Sequence, residues 1–157
     1  MPAGVTLAIN PGAVVKFDPL KSITVEPGSS LRSEGTRARP VFFTSIKDDA
    51  VSGDTSGNGD ASAAAPGDWG GLRLDGAAYL QHTILRFGAG GDLEDMPAMV
   101  KVAAGQADVV MLNCRLEQAL LDAVSTWGGS TRMTNCVLAS NGRGILVREN
   151  SSALLVN

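Results

Sequence analysis

An internal repeat constrains this chain more than any other feature of its sequence. Asn113-Cys114-Arg115-Leu116 aligns with Asn135-Cys136-Val137-Leu138 at an offset of 22 residues. The same step again reaches Asn157, preceded by Leu154-Leu155-Val156. Val110-Met111-Leu112 and Met133-Thr134 fill the matching places upstream. Tyr79-Leu80-Gln81-His82-Thr83-Ile84-Leu85 reads as an earlier, diverged copy, about 32 residues before the Asn113 copy, with the excess taken up by an inserted loop at 88–97. Such a period implies coils of two or three short strands. Each strand pairs in parallel with its counterpart one coil on, about 4.8 Å away. Alternate residues point inward, so equivalent positions stack into columns. One coil cannot bury its own apolar face, whereas a stack can. Parallel crossovers are overwhelmingly right-handed. The expected fold is an all-β, right-handed parallel β-helix solenoid of about five to six coils. It forms one domain over 1–157, with inserted loops at 47–68 and 88–97.

The first half of the chain fits the same frame. Val5-Thr6-Leu7-Ala8-Ile9 alternates and closes on Asn10-Pro11-Gly12, and Ser22-Ile23-Thr24-Val25 closes on Glu26-Pro27-Gly28; both closures are turn signals. Ala13-Val14-Val15-Lys16-Phe17, Val41-Phe42-Phe43-Thr44-Ser45-Ile46 and Gly71-Leu72-Arg73-Leu74 read as strands. Leu116, Ala119, Leu120, Ala123 and Val124 show a helical spacing, but the repeat register survives across them, so strands are preferred. Aromatic residues are only 4% of the chain while apolar residues are 44%. That combination suits a narrow core of stacked aliphatic side chains.

Charge and cysteine content exclude several functions. A net charge of -3 argues against nucleic acid as a partner. There is no apolar run long enough to span a bilayer as a helix, and the start of the chain lacks the pattern of a signal peptide. His82 is the sole histidine and no Cys-x-x-Cys is present, so zinc and a serine triad are both disfavoured. Cys114 and Cys136 stack one coil apart and are expected to be free, inward-facing thiols, because directly paired parallel positions suit the disulfide torsion poorly. Asn113, Asn135 and Asn157 are expected to form a structural amide ladder at one bend.

Three stretches resemble bacterial secreted and cell-surface proteins with right-handed parallel β-helix repeats, within the broad pectate-lyase-like superfold. They are Val5-Thr6-Leu7-Ala8-Ile9-Asn10-Pro11-Gly12-Ala13-Val14-Val15-Lys16-Phe17, then Pro40-Val41-Phe42-Phe43-Thr44-Ser45, then the loop from Lys47-Asp48-Asp49 to Pro66-Gly67-Asp68-Trp69-Gly70-Gly71. The resemblance implies an extracellular or cell-surface location. It is specific for fold and weak for function, because this superfold carries lyases, hydrolases, adhesins and spacers. The expected function is a non-catalytic structural or binding module that engages a glycan or a surface. The alternative is a fragment of a carbohydrate-active enzyme, a polysaccharide lyase or a glycoside hydrolase.

The most chemical segment is the acidic loop. Asp54, Ser56, Asn58 and Asp60 place oxygens at alternate positions, as in the first half of a calcium loop. The twelfth position is Ala65 rather than a bidentate Glu, so Asp48, Asp49 or Asp68 would have to complete the shell. Otherwise the segment is a polar surface loop, and no cofactor is required. Trp69 and Trp127 each precede Gly-Gly; packing over a turn is preferred to a role as sugar-stacking platforms. For an enzyme, the candidates are Asp92, Glu94 and Asp95 in the second loop, with His82, Arg86 and Lys101 nearby. No carboxylate pair repeats on adjacent coils, which glycoside hydrolysis would use. The sequence stops on the Asn157 ladder position without a polar cap. Expected partners are therefore the continuation of a longer solenoid or a second copy docked end to end.

Overall fold

The computed structural model describes residues 1–57, 59–91, 97–103, 105, 107–148 and 150–157, and the backbone alone of Asp60. Turn residues cut this chain into short strands. Asn10-Pro11-Gly12 ends β1 (Thr6–Ile9), and β2 (Val14–Phe17) follows. Glu26-Pro27-Gly28 ends β3 (Ser22–Val25) before β4 (Ser30–Glu34) and β5 (Val41–Ser45). Next come β6 (Gly71–Leu74), β7 (Ala77–Gln81), β8 (Thr83–Arg86) and β9 (Ala98–Val102). The repeat region holds β10 (Asp108–Leu112), β11 (Arg115–Glu117), β12 (Asp122–Thr126) and β13 (Gly129–Thr134). The last are β14 (Val137–Ala139), β15 (Arg143–Val147) and β16 (Ser151–Val156).

These strands make three parallel sheets. Sheet A is β1-β4-β7-β10-β13-β16, sheet B is β2-β5-β8-β11-β14, and sheet C is β3-β6-β9-β12-β15. The chain visits A, B and C in turn, then returns to A beside its previous strand. The molecule is thus all-β, its stacked parallel sheets those of a β-helix solenoid. Among the described residues the one helical piece is a 3-10 turn at Gly59–Ala61. The helical spacing across 115–124 resolves into β11 and β12, which belong to different sheets. Between them Gln118 has φ 60, a left-handed bend that no α-helix contains.

Register follows the repeat where the repeat is regular. Met111 pairs with Met133, and Met133 with Leu155. The earlier copy differs by one residue from the sequence alignment. Met111 pairs with Leu80 and Leu112 with Gln81, so His82 holds the place equivalent to Asn113. The reason is conformational. His82, Asn113 and Asn135 have φ of 44, 54 and 50, and the column is defined by that left-handed bend. One coil earlier the column holds Gly35, where an added Cβ would lie 2.4 Å from the His82 carbonyl oxygen.

Inward positions stack as continuous columns. In sheet A, Ile9, Ser33, Leu80, Met111, Met133 and Leu155 succeed one another. In sheet B the column is Val15, Phe43, Leu85, Leu116 and Leu138. In sheet C it is Ile23, Leu72, Val100, Val124 and Ile145. Most of these side chains are buried, each contributing about 1.5–3 kcal/mol by leaving water. The core is not wholly aliphatic, as composition suggested. Trp69 stacks on Phe17 with centroids 4.3 Å apart and planes 6° apart, and Phe17 stacks on Phe43 at 6.3 Å. The few aromatic residues are thus concentrated in the first coils. Polar groups that enter the core are paired: the hydroxyls of Ser33 and Thr83 lie 2.7 Å apart, and those of Thr126 and Thr131 lie 3.1 Å apart.

Candidate functional site

Strand alternation points the other half of each strand away from the core, although on β9 and β12 these positions are buried as well. On sheet C the outward row runs Thr24, Arg73, Lys101, Ser125 and Leu146, in register on successive strands. Two cations therefore sit side by side, one strand apart. A cavity of about 210 Å³ opens over this row. Arg73, Lys101, Ser22 and Thr24 supply its polar groups, and Leu20, Gly70, Gly71, Leu72, Gly90, Gly91, Pro97 and Ala98 line the rest. Glycine stands at position 71 of this lining for a steric reason. At Gly71, φ is 101 and an added Cβ would lie 2.4 Å from the Ala98 carbonyl oxygen.

The electrostatics of this face are set by a few contacts. Arg73 Nε donates to Asp75 Oδ2 at 3.0 Å, yet 46% of the Arg73 side chain stays exposed. Lys101 is largely buried, with Nζ 5.1 Å from the Trp127 ring centroid. The Arg148 guanidinium lies 4.1 Å from the same centroid, and Trp127 Nε1 donates to Ser125 Oγ at 2.6 Å. Lys101 and Arg148 thus pack on the Trp127 π-system. No carboxylate appears among the described residues lining the cavity.

The other residues singled out from sequence are dispersed. Trp69 is fully buried and its Nε1 donates to the Arg86 carbonyl at 2.8 Å. Its ring has no face to offer a sugar, which corrects the stacking-platform reading and leaves the packing one. Trp127 is half-buried, with Arg148 at stacking distance. Arg86 belongs to sheet B and Lys101 to sheet C, so these two candidates do not meet. Asp92, Glu94 and Asp95 lie outside the described residues.

The acidic loop is held by its own bonds. Asp54 Oδ1 accepts from Ser56 Oγ at 2.9 Å and from the Gly57 amide at 2.7 Å, and Oδ2 accepts from the Gly59 amide at 2.7 Å. Asp48 pairs with Arg86 at 2.7 Å and accepts from Thr44 at 2.5 Å. Asp68 pairs with Lys47 at 3.0 Å and accepts from Ser45 at 2.8 Å and the Ala65 amide at 3.0 Å. Burial alone would raise the Asp68 pKa; the Ala65 amide, Lys47 and Ser45 outweigh it and hold the carboxyl below its usual 3.8. Among the described residues, Asp49 Oδ1 is buried without a hydrogen-bond partner. Asn58 and the Asp60 side chain lie outside the described residues. Among the described residues, no group of three or more His, Cys, Asp or Glu side chains is placed to hold a metal ion.

At the first bend, Asn135 Nδ2 donates to Asn113 Oδ1 at 3.4 Å, while Asn157 is exposed at the next position. Asn141, which sequence reasoning passed over, makes a firmer intercoil bridge. It donates to the Leu116 carbonyl at 3.0 Å and accepts from the Ala119 amide at 2.9 Å. Cys114 and Cys136 are free, the first buried and the second half-buried. The neighbouring Cys136 thiol, and then burial, push the Cys114 pKa far above its usual 9.0. Cys114 in turn brings Cys136 down to about 7.

No family model, curated protein or solved structure matches the chain.

Proposed function

We propose that this chain is a non-catalytic binding module of the right-handed parallel β-helix type, carried by a secreted or cell-surface protein of the pectate-lyase-like superfold. It consists of about five to six coils, with the loops at 47–68 and 88–97 inserted between strands. Its ligand is an acidic glycan laid on the outer face of sheet C. The observation that carries this reading is the in-register pair Arg73 and Lys101, bordered by the hydroxyls of Ser22 and Thr24 in a glycine-lined cavity. Guanidinium and ammonium groups bind carboxylate or sulfate, and hydroxyls match sugar hydroxyls.

The carboxylates away from the groove are engaged with cations: Asp48 pairs with Arg86, Asp68 with Lys47 and Asp122 with Arg143, while Asp75 shares Arg73 with the groove. Arg86 and Asp48 come from different coils, as do Arg143 and Asp122, so these two pairs join neighbouring turns of the stack. Glycoside hydrolysis would instead need two carboxyl groups facing one sugar.

A glycan array read alongside a reducing-end assay tests the proposal. Retention of acidic glycans without new reducing ends is the expected result. Release of reducing ends, or of unsaturated uronate, would establish the enzyme alternative. Failure to retain any acidic glycan would remove the binding reading.

A further inference from the structure

Cys114 and Cys136 are the pair of reactive groups in this fold that the glycan reading leaves unused. Each directly precedes a strand of sheet B, β11 and β14, which pair Arg115 with Val137. The Val137 amide donates to the Cys114 carbonyl at 2.9 Å, which fixes the two cysteines as neighbours across the ladder. Neighbouring parallel strands lie about 4.8 Å apart, inside the Cα–Cα span of about 4.4–6.8 Å that a disulfide tolerates; the poor torsion of directly paired strand positions applies less here, because both cysteines sit at bends outside β11 and β14, after the left-handed Asn113 and Asn135. The two sulphurs point the same way. Cys114 Sγ lies 3.3 Å from the Leu80 carbonyl oxygen, and Cys136 Sγ lies 3.5 Å from the Met111 carbonyl oxygen, each reaching toward the preceding coil. Their exposure differs. Cys114 is 2% exposed, whereas Cys136 is half-buried on the more C-terminal coil.

We propose that Cys114 and Cys136 form a dithiol site that exchanges with disulfides, Cys136 attacking and Cys114 resolving. The Cys136 thiolate attacks one sulphur of a disulfide R–S–S–R. A Cys136–S–S–R bond forms, the S–S bond of the reagent breaks, and RS⁻ leaves and takes a proton. Cys114 then attacks Cys136 Sγ, and its proton goes to the departing sulphur. The Cys114–Cys136 bond forms and the second RS⁻ leaves. In balance, two protein thiols are oxidised and one R–S–S–R is reduced to two R–SH. The division of roles follows from access, and it agrees with the lowered pKa of the Cys136 thiol, since the thiolate is the nucleophile. The product links the bend before β11 to the bend before β14. It thereby ties together two coils beside the exposed apolar residues Val137, Leu154 and Leu155.

Oxidised glutathione is the probe. The folded, reduced chain is treated with it, trapped with an alkylating agent and mapped by peptide mass spectrometry, alongside Cys114→Ser and Cys136→Ser. The wild-type chain is expected to lose two hydrogens as an intrachain Cys114–Cys136 bond, with a raised Tm that dithiothreitol reverses. Cys114→Ser is expected to stop at a glutathione adduct on Cys136, while Cys136→Ser stays a free thiol. Retention of both thiols in the folded wild type, in glutathione that oxidises the unfolded chain, would overturn the proposal. So would equal reaction of the two variants. The wild-type peptide map decides even where a variant fails to fold, and none of these outcomes depends on glycan binding.

Discussion

At the scale of single residues, the bends are decided by a backbone angle more than by a chemical type. His82, Asn113 and Asn135 share one left-handed column; Phe87, Gln118 and Ser140 share another, with φ of 64, 60 and 54. The second column is joined coil to coil, the Phe87 amide donating to the Glu117 carbonyl and the Gln118 amide to the Ala139 carbonyl. Only the first column was legible in sequence, and only where Asn marks it, because Asn tolerates the left-handed region and bonds locally. Phe, Gln and Ser share no side-chain property that would reveal the second. An L-residue without such compensation costs about 1–2 kcal/mol there. Asn135→Ala is therefore expected to lower stability by about 1 kcal/mol, and Asn135→Gly to change it by less, since glycine adopts this φ freely. Urea unfolding followed by circular dichroism measures both. Equal loss in the two variants would assign the cost to the Asn113–Asn135 bond instead of the angle.

At the scale of elements, strands closed by Pro-Gly turns or repeated at a constant step were legible, whereas strands beside insertions were not. β4 follows a Pro-Gly turn but is Ser-Leu-Arg-Ser-Glu, with one apolar residue, and β9 flanks an irregular spacing. The pairing of Ser30 with Ala77 spans the whole 46–70 excursion, which hides the repeat from a fixed offset. That excursion is an element in its own right. Arg86 and Asp48 pin one end of it, Lys47, Ser45 and Asp68 close it on itself, and Lys16 Nζ donates to the Gly53 carbonyl at 2.8 Å. The Asp68 pKa lies below its unfolded value near 3.8, so its ionised form stabilises the closed loop above that pH. The contribution is lost as pH falls through the folded value. Limited proteolysis is expected to find the loop protected at pH 6 and cut faster below pH 3. Asp68→Asn is expected to be cut readily at pH 6, with a smaller change between the two pH values. An unchanged pH response in the variant would place the acid sensitivity elsewhere.

At the scale of the whole molecule, three parallel sheets around a narrow core set sheet C apart. Gly90, Gly91 and Pro97, which line its groove, belong to the second excursion between strands. Sequence alone pointed to that region through its acidic loop, and offered Trp69 and Trp127 as sugar platforms only as the alternative to turn packing. The cationic row was missed because Arg73 and Lys101 are far apart in the chain, and only the unequal spacing of the coils brings them into register. Calorimetric titration of an acidic oligosaccharide of the uronate class, against the wild-type chain and Arg73→Glu, tests the account most directly. Binding that weakens with salt is expected for the wild type. For the variant a loss of about tenfold or more is expected, the equivalent of one charge-assisted hydrogen bond. Equal affinity in the two proteins, or no binding by the wild type, would contradict the account.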